Sequence, residues 1–448
     1  MLQQLAGFAA LFMTTALLSL GQGAVTSLTI QKGALFGFSD TFLGLVISVG
    51  YAGFFVGIYL MRYLLRRVSY IRAFAVCAAA LGVFALAMPV FAVPGGWLVL
   101  RFLYGLFFSA ATVTCEGWVN SKVGRGERSR VLGMYMTVNY LAYGMSQYAL
   151  LIEQPSVAFS ASAACLMLSL IPVCLTRFAE PQYASASAGG GKPLSLMDVY
   201  RIAPVAFVGQ FGMGITTSAG WLFVRYVESL PLSEGGVALM AALFFSSGFV
   251  LQVPVGWLSD RARDRRDVIS AAAGISAIVS FILFFGNYLP FYLLATLLLV
   301  FGSVSPTLFA LNIAYGQDFA PREKAAEYSG GLFQSYSAGA LIGPVAAGAL
   351  MELFSPAWLF LMMAVVLIIM TASAATARLM PKIRPAKTEQ HRIQTPMQLS
   401  GEGEVYSVAD IGPQLPDDAE NAEEESGAEN DGGENDDNDN KSESGEGR

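Results

Sequence analysis

Two stretches decide the fold: GIYLMRYLLRR at residues 57–67 and GWLSDRARDRR at residues 256–266. They lie 199 residues apart, and Gly57, Arg62, Arg66 and Arg67 in the first answer Gly256, Arg261, Arg265 and Arg266 in the second. Each interrupts apolar sequence that continues on both sides. Each therefore reads as a polar turn between two buried segments, and the pair reads as one unit used twice. The second copy also carries Asp260, where the first has Met61.

The flanking sequence is apolar on a scale that a soluble chain does not reach. Of the 448 residues, 54% are hydrophobic and 13% are charged, against about 25% charged in soluble domains; mean hydropathy is +0.54. A helix needs about 20 apolar residues to cross a bilayer. Runs of that kind fall at about 5–31, 40–62, 72–94, 96–121, 130–152, 156–177, 200–226, 235–258, 267–288, 290–316, 327–352 and 356–378. The first has no basic residue ahead of it and no small-residue cleavage site, so it reads as a retained helix rather than a leader. The fold class is an all-α polytopic membrane protein of twelve transmembrane helices in two pseudo-symmetric six-helix bundles.

Charge placement gives the topology. Arg62, Arg66, Arg67 and Arg72 follow the second run, and Lys122, Arg125, Arg128 and Arg130 follow the fourth. Arg177, Lys192 and Arg201 surround the centre, and Arg261, Arg263, Arg265 and Arg266 follow the eighth run. Arg322 and Lys324 follow the tenth, and Arg378, Lys382, Arg384, Lys387 and Arg392 follow the last. Only Lys32, Arg101 and Arg225 fall elsewhere ahead of residue 401. The positive-inside rule then puts both termini in the cytoplasm, as expected for a multi-pass protein of the inner membrane.

Small and flexible residues between about 179 and 196 mark a linker, so the expected organisation is a bundle over 1–178, a linker over 179–196 and a second bundle over 197–380. The remainder, 381–448, is an acidic tail in which residues 401–448 hold 17 Asp and Glu against Lys441 and Arg448. Such a composition cannot bury enough apolar surface to fold. Cys77, Cys115, Cys165 and Cys174 lie in separate apolar runs and read as small core residues, and the one histidine, His391, falls outside every run. A metal site, a cofactor and catalysis on a substrate are therefore not expected. No nucleotide signature or nucleic-acid-binding feature is present either.

The second repeat resembles the loop signature of the major facilitator superfamily, G-x-L-x-D-R-x-x-x-R-R. The resemblance implies that Asp260, Arg261, Arg265 and Arg266 latch helix ends at the cytoplasmic face. In the first copy, Arg62, Arg66 and Arg67 remain, but Met61 replaces the acid. A finer likeness lies in Arg101-Phe-Leu-Tyr-Gly105, Glu116-Gly-Trp-Val-Asn120 and the segment from Glu127 to Tyr140. These are similar to the R-F-x-x-G, E-x-W-x-N and R-x-R-V-L-x-x-Y-M-x-x-N-Y boxes of the YcaD-like branch of bacterial major facilitators. Gly339 to Gly348 resembles the glycine-proline signature of drug antiporters, but that signature belongs to the fifth helix, and close packing accounts for the glycines here.

In the fourth run Arg101, Gly105, Ser109, Thr112, Glu116 and Asn120 recur every three or four residues and share one helix face. A charge facing lipid costs roughly 2.5–3.5 kcal/mol on insertion scales, so this face turns to protein or water. Glu116 reads as a cytoplasmic latch, with a proton site and snorkelling as alternatives. Arg101 reads as a packing or ion-pair residue, or as a substrate or proton-coupling one. Gln22 and Thr26 in the first run, Asn139 and Tyr143 in the fifth, and Gln210 and Trp221 in the seventh are the other candidate cavity residues. In the major facilitator arrangement those helices line the cavity, although polar residues also pin helices to one another.

The function these observations imply is secondary transport of a small organic solute by alternating access, with protons as a candidate coupling ion and the lipid bilayer and the solute as partners. A single copy is the expected working unit. The alternative is a non-transporting receptor or scaffold of carrier ancestry. Deleting residues 401–448 is expected to leave abundance and flux near the full-length values in a proteoliposome assay; a large loss of flux at normal abundance would refute the reading of the tail.

Overall fold

The structure is a computed structural model that describes residues 2–64, 70–122, 128–175, 194–320 and 324–379. The linker ahead of Leu194 and the acidic tail lie outside the described residues. All regular structure in the described residues is helical. In the first half the helices are α1 (Leu2–Leu35), α2 (Asp40–Leu64), α3 (Tyr70–Ala87), α4 (Pro94–Lys122), α5 (Arg128–Ser146), α6 (Pro155–Leu168) and α7 (Leu170–Leu175). The second half has α8 (Leu196–Ile202), α9 (Pro204–Ala219), α10 (Phe223–Glu228), α11 (Glu234–Ser246), α12 (Gly248–Arg261) and α13 (Arg265–Leu283). It ends with α14 (Phe291–Val304), α15 (Thr307–Gln317), α16 (Ala325–Leu353) and α17 (Trp358–Leu379).

These helices fall on the twelve expected runs. The pairs α6/α7, α9/α10, α11/α12 and α14/α15 each occupy one run, and a break divides the two members of each pair. In the tenth run the break falls at Ser305 and Pro306, since Pro306 has no N–H to continue the α14 ladder. Among the described residues nine helices are long and apolar enough to cross a membrane, and the bent pair of Leu196–Ile202 with Pro204–Glu228 gives a tenth. The remaining two runs hold α3, whose apolar part is the short Ile71–Ala87, and α5, which begins with Arg128 and Arg130 and carries Asn139.

Two boundaries differ from the hydropathy reading. The third run stops at Ala87 rather than 94, where Trp97 closes the turn by donating its indole N–H to the Met88 carbonyl at 2.9 Å. The seventh begins at Pro204, and α8 stands off it at 120°. Ser195 and Asp198 form a capping box that starts α8. The Ser195 hydroxyl donates to the Asp198 carboxylate at 2.7 Å, which holds that carboxyl below its ordinary range. Of the four cysteines, Cys77 and Cys115 are core residues as expected, whereas Cys174 is exposed.

Close backbone contact, together with side-chain packing, joins the main helix pairs. Where α2 crosses α4, a Cβ on Gly53 would collide with the Phe102 carbonyl, and one on Gly105 with the Gly50 carbonyl. In the second half a Cβ on Gly214 of α9 would strike the Tyr336 carbonyl of α16, and one on Gly339 the Phe211 carbonyl. Small residues allow this approach, and in lipid such contact replaces the hydrophobic effect as the force between helices. The two halves meet along α2 with α16 and α5 with α11. Gly44 lies against Pro344, Gly348 against Asp40, and Gly248 against the ring of Tyr140.

Gly105→Ala is therefore expected to lower the apparent melting temperature of the purified protein, at a cost of about 1–3 kcal/mol for overpacking. Gly274→Ala, whose added methyl would first meet Thr371 at 3.7 Å, is expected to be silent. Equal effects of the two in a thermal unfolding series would refute the packing account.

Candidate functional site

Helix α1 supplies a polar stripe through the interior of the first half. Thr15, Ser19, Gln22, Thr26 and Thr29 are all buried, and their spacing of three or four residues keeps them on adjoining faces. The Ser19 hydroxyl donates to Asn139 Oδ1 on α5 at 2.6 Å. One turn farther along, Gln22 Nε2 donates to Thr26 Oγ1 at 3.2 Å. Arg101 of α4 reaches the same Thr26 oxygen with both terminal nitrogens, at 3.4 and 3.5 Å. Its guanidinium also lies 5.3 Å from the centre of the Tyr104 ring, within cation–π range. Arg101 is only 3% exposed, and Gly50 of α2 faces it: a Cβ there would stand 3.3 Å from Nε.

This polar cluster borders an aromatic contact between the halves. Gly23, beside Gln22 on α1, lies against the Tyr143 ring, 2.8 Å from the position a Cβ would take. Tyr143 in turn approaches Trp221 of the second half at 5.9 Å between ring centres. Trp221, in the turn between α9 and α10, stacks on Phe245 at 4.7 Å. Thr26 thus joins Gln22 to Arg101, and Gly23 on the same helix meets the ring pair of Tyr143 and Trp221.

Asn139 and Gln210 engage other helices instead. Asn139 joins α5 to α1 through Ser19, and Gln210 Nε2 donates to the Phe309 carbonyl of α15 at 2.8 Å. The helix-seven face that Gln210 shares with Gly214 is packed against α16. Asn312, which the sequence reading passed over, is fully buried against Gly209. Tyr104 was missed as well. Its ring faces the Arg101 guanidinium.

At the end of the second half that carries the basic loops, Arg265 is the hub. It bridges Asp260 at 2.9 Å and Asp318 at 3.0 Å, and donates to Ser259 Oγ at 3.2 Å. It thereby joins the ends of α12, α13 and α15. Arg266 pairs with Asp264 at 2.8 Å and donates to the Ala377 carbonyl of α17 at 2.6 Å. Arg261 takes no part in these pairs, since its guanidinium lies 3.6 Å from the centre of the Trp257 ring. The side chains of Arg62, Arg66, Arg67 and Glu116 lie outside the described residues.

The opposite end holds ties between the halves that the sequence did not disclose. Arg225 of α10 donates to Asp40 at the start of α2 at 2.8 Å, and to Glu228 at 3.1 Å. Glu352 of α16 accepts the Thr41 backbone N–H at 3.0 Å, which places a carboxylate at the positive N-terminus of α2. Lys32 is buried on α1, and Glu153, Glu228 and Glu234 are the carboxylates that act on it.

The family model of the Major Facilitator Superfamily matches residues 202–402. The uncharacterized MFS-type transporter YcaD of Escherichia fergusonii is 23% identical over 329 residues, which cover 72% of this chain and 83% of that protein. Among solved structures, a mutant of the nucleoside transporter NupG superposes with a TM-score of 0.71 at 12% identity, covering 83% of this chain and 99% of that one. A bacterial homologue of the human lysosomal transporter Spinster, inward-facing and unoccupied, gives 0.65 at 14% identity over 86% and 99%.

Partly exposed ion pairs contribute up to about 1 kcal/mol, and a change of that size shifts a population by a factor of about 5. The double variant Arg225→Gln, Glu352→Gln is therefore expected to populate longer separations between spin labels at Leu35 and Leu353, both exposed, in pulsed electron resonance. An unchanged distance distribution would show that these ties do not hold the halves together.

Proposed function

We propose that this chain, a major facilitator superfamily protein by fold, family match and relatives, is a secondary carrier that moves a small organic solute across a bacterial inner membrane by alternating access. The observation that carries the reading is the meeting of a buried polar cluster with a contact between the halves. Thr26 of α1 accepts from Gln22 and from Arg101, and Gly23 of the same helix lies against Tyr143, which meets Trp221 of the other half. A solute held there would touch both halves, so a rocking movement of one against the other would change its access from one side to the other.

The positive-inside rule assigns the basic end, with Arg265 at its hub, to the cytoplasm, and both termini with it. The Arg225–Asp40 and Glu352–Thr41 ties then close the periplasmic end, in keeping with the likeness to an inward-facing neighbour. In this reading Arg265 is the latch: its bonds to Asp260 and Asp318 hold three helix ends as one body while the halves move. The site is built from the two halves of one chain, which supports a monomer as the working unit. Protons are the coupling ion to be tested.

The test is uptake. Compounds that stabilise the purified protein in a thermal-shift screen of metabolites are offered, radiolabelled, to proteoliposomes with and without an imposed pH gradient. Uptake above that of protein-free vesicles is expected, and binding without uptake would overturn the carrier reading in favour of a receptor. Arg265→Gln is expected to reduce initial flux at least about tenfold at normal abundance, through loss of two charge-assisted bonds. Unchanged flux in that variant would remove the latch.

A further inference from the structure

We infer that Arg101 is the anion-binding group of the site, and that the solute carries a carboxylate or phosphate together with a hydroxyl or amino donor; the inference rests on the carrier reading and names the chemistry of its cargo. The other arginines with described partners set the contrast. Arg225 meets Asp40 at 2.8 Å, Arg265 meets Asp260 and Asp318 at 2.9 and 3.0 Å, and Arg266 meets Asp264 at 2.8 Å. Arg101 is more deeply buried than any of them, yet no carboxylate among the described residues lies within ion-pair distance of it.

A guanidinium presents five N–H donors in a planar fork. Here two nitrogens share one hydroxyl oxygen at 3.4 and 3.5 Å, beyond the usual 2.7–3.2 Å range. Nε finds no partner among the described residues, and Gly50 puts no side chain against it. The ring of Tyr104 supports the cation from one face without neutralising it. A buried cation left this way is costly, and a bidentate carboxylate or phosphate oxygen pair is what the fork fits.

The neighbouring amide adds the second requirement. Gln22 is 1% exposed, its Nε2 is committed to Thr26, and its Oε1 finds no acceptor role among the described residues. An unused buried acceptor beside an unneutralised donor fork asks for a ligand with an anion at one point and an O–H or N–H close by. A wholly neutral solute would leave the guanidinium uncompensated. A cation would add a second positive charge to it.

The experiment uses the full-length protein in lipid nanodiscs and a paired panel. Lactate, glutamate and benzoate are compared with lactamide, glutamine and benzamide, and glycerol 3-phosphate and glucose 6-phosphate with glycerol and glucose. Apparent melting temperature is read against concentration, since a ligand of the folded state raises it. The expected result is a rise with at least one anion and none with its neutral counterpart. The carboxylate and phosphate arms then tell which anion is preferred. Arg101→Gln should abolish the rise, and Arg101→Lys should retain it with half-saturation weakened about tenfold or more, because lysine keeps the charge and loses the fork.

Three outcomes would overturn the inference: a neutral compound acting as well as its anion, an anion response that survives in Arg101→Gln, or no anion-selective rise in the wild type. The wild-type comparison alone decides the matter if the Gln variant does not fold. Failure here leaves the carrier reading standing, since uptake of a neutral solute satisfies it. An anion that binds without being taken up counts against the carrier reading and not against the anion site.

Discussion

A positive charge held inside an apolar bundle constrains everything near it. Arg101 has left water almost completely, and the surroundings are fitted to that fact rather than the reverse. Thr26 is placed on α1 to meet both terminal nitrogens, and Gln22 is placed to orient Thr26. Tyr104 turns its ring to the cation. Helix α2 runs alongside because Gly53 of α2 and Gly105 of α4 let the two backbones touch. The tight crossing of α2 over α4 and the polar stripe of α1 are two sides of one arrangement: the glycines admit the neighbours, and the neighbours accommodate the charge.

The same logic divides the basic residues into two kinds. Three at helix ends are paired with carboxylates, Arg265 and Arg266 at one end of the second half and Arg225 at the other, while Arg261 lies over the Trp257 ring. There the side chains are still partly exposed, and pairing adds order more than stability. Inside the bundle, where water cannot share the load, the energetic consequence of a missing partner is greater. The polar interior is also uneven. Asn139 and Gln210 each direct one amide atom to another helix, at Ser19 and at a carbonyl of α15, while the other amide atom of each, like Arg101 Nε and Gln22 Oε1, finds no partner among the described residues.

Much of this was legible before any coordinates. Twelve apolar runs predict the helical membrane fold, and a repeat at 57–67 and 256–266 and one-sided arginines predict two bundles and a topology, because hydrophobic length and charge placement are properties of the chain itself. The three-to-four spacing of Arg101, Gly105 and Ser109 likewise put the charge on an inner face. The breaks at Gly220 and Pro306 were not legible, since hydropathy does not register where a helix turns aside. Nor were the partners. Arg225 and Asp40 are 185 residues apart, and Thr41 and Glu352 are 311 apart, so nothing local to either residue announces the other. Asn139 and Gln210 read as cavity residues by type, and the sequence did not disclose that each also bonds to another helix.

The seam between α2 and α16 has a mechanical consequence. At Gly44 against Pro344, and at Gly348 against Asp40, the two halves touch through main-chain atoms with no side chain between them. A joint of interlocked side chains resists rotation, because each step demands that rotamers on both surfaces exchange together. At these two points the joint has no such teeth, although farther along the same seam the rings of Phe55 and Phe333 meet at 5.7 Å. The two helices can roll over one another about that line as a fulcrum, and a few degrees of roll there become a displacement that grows with distance along each helix. The end nearest the fulcrum moves least and the far end most, so the lever arm is set by the position of four residues in the chain.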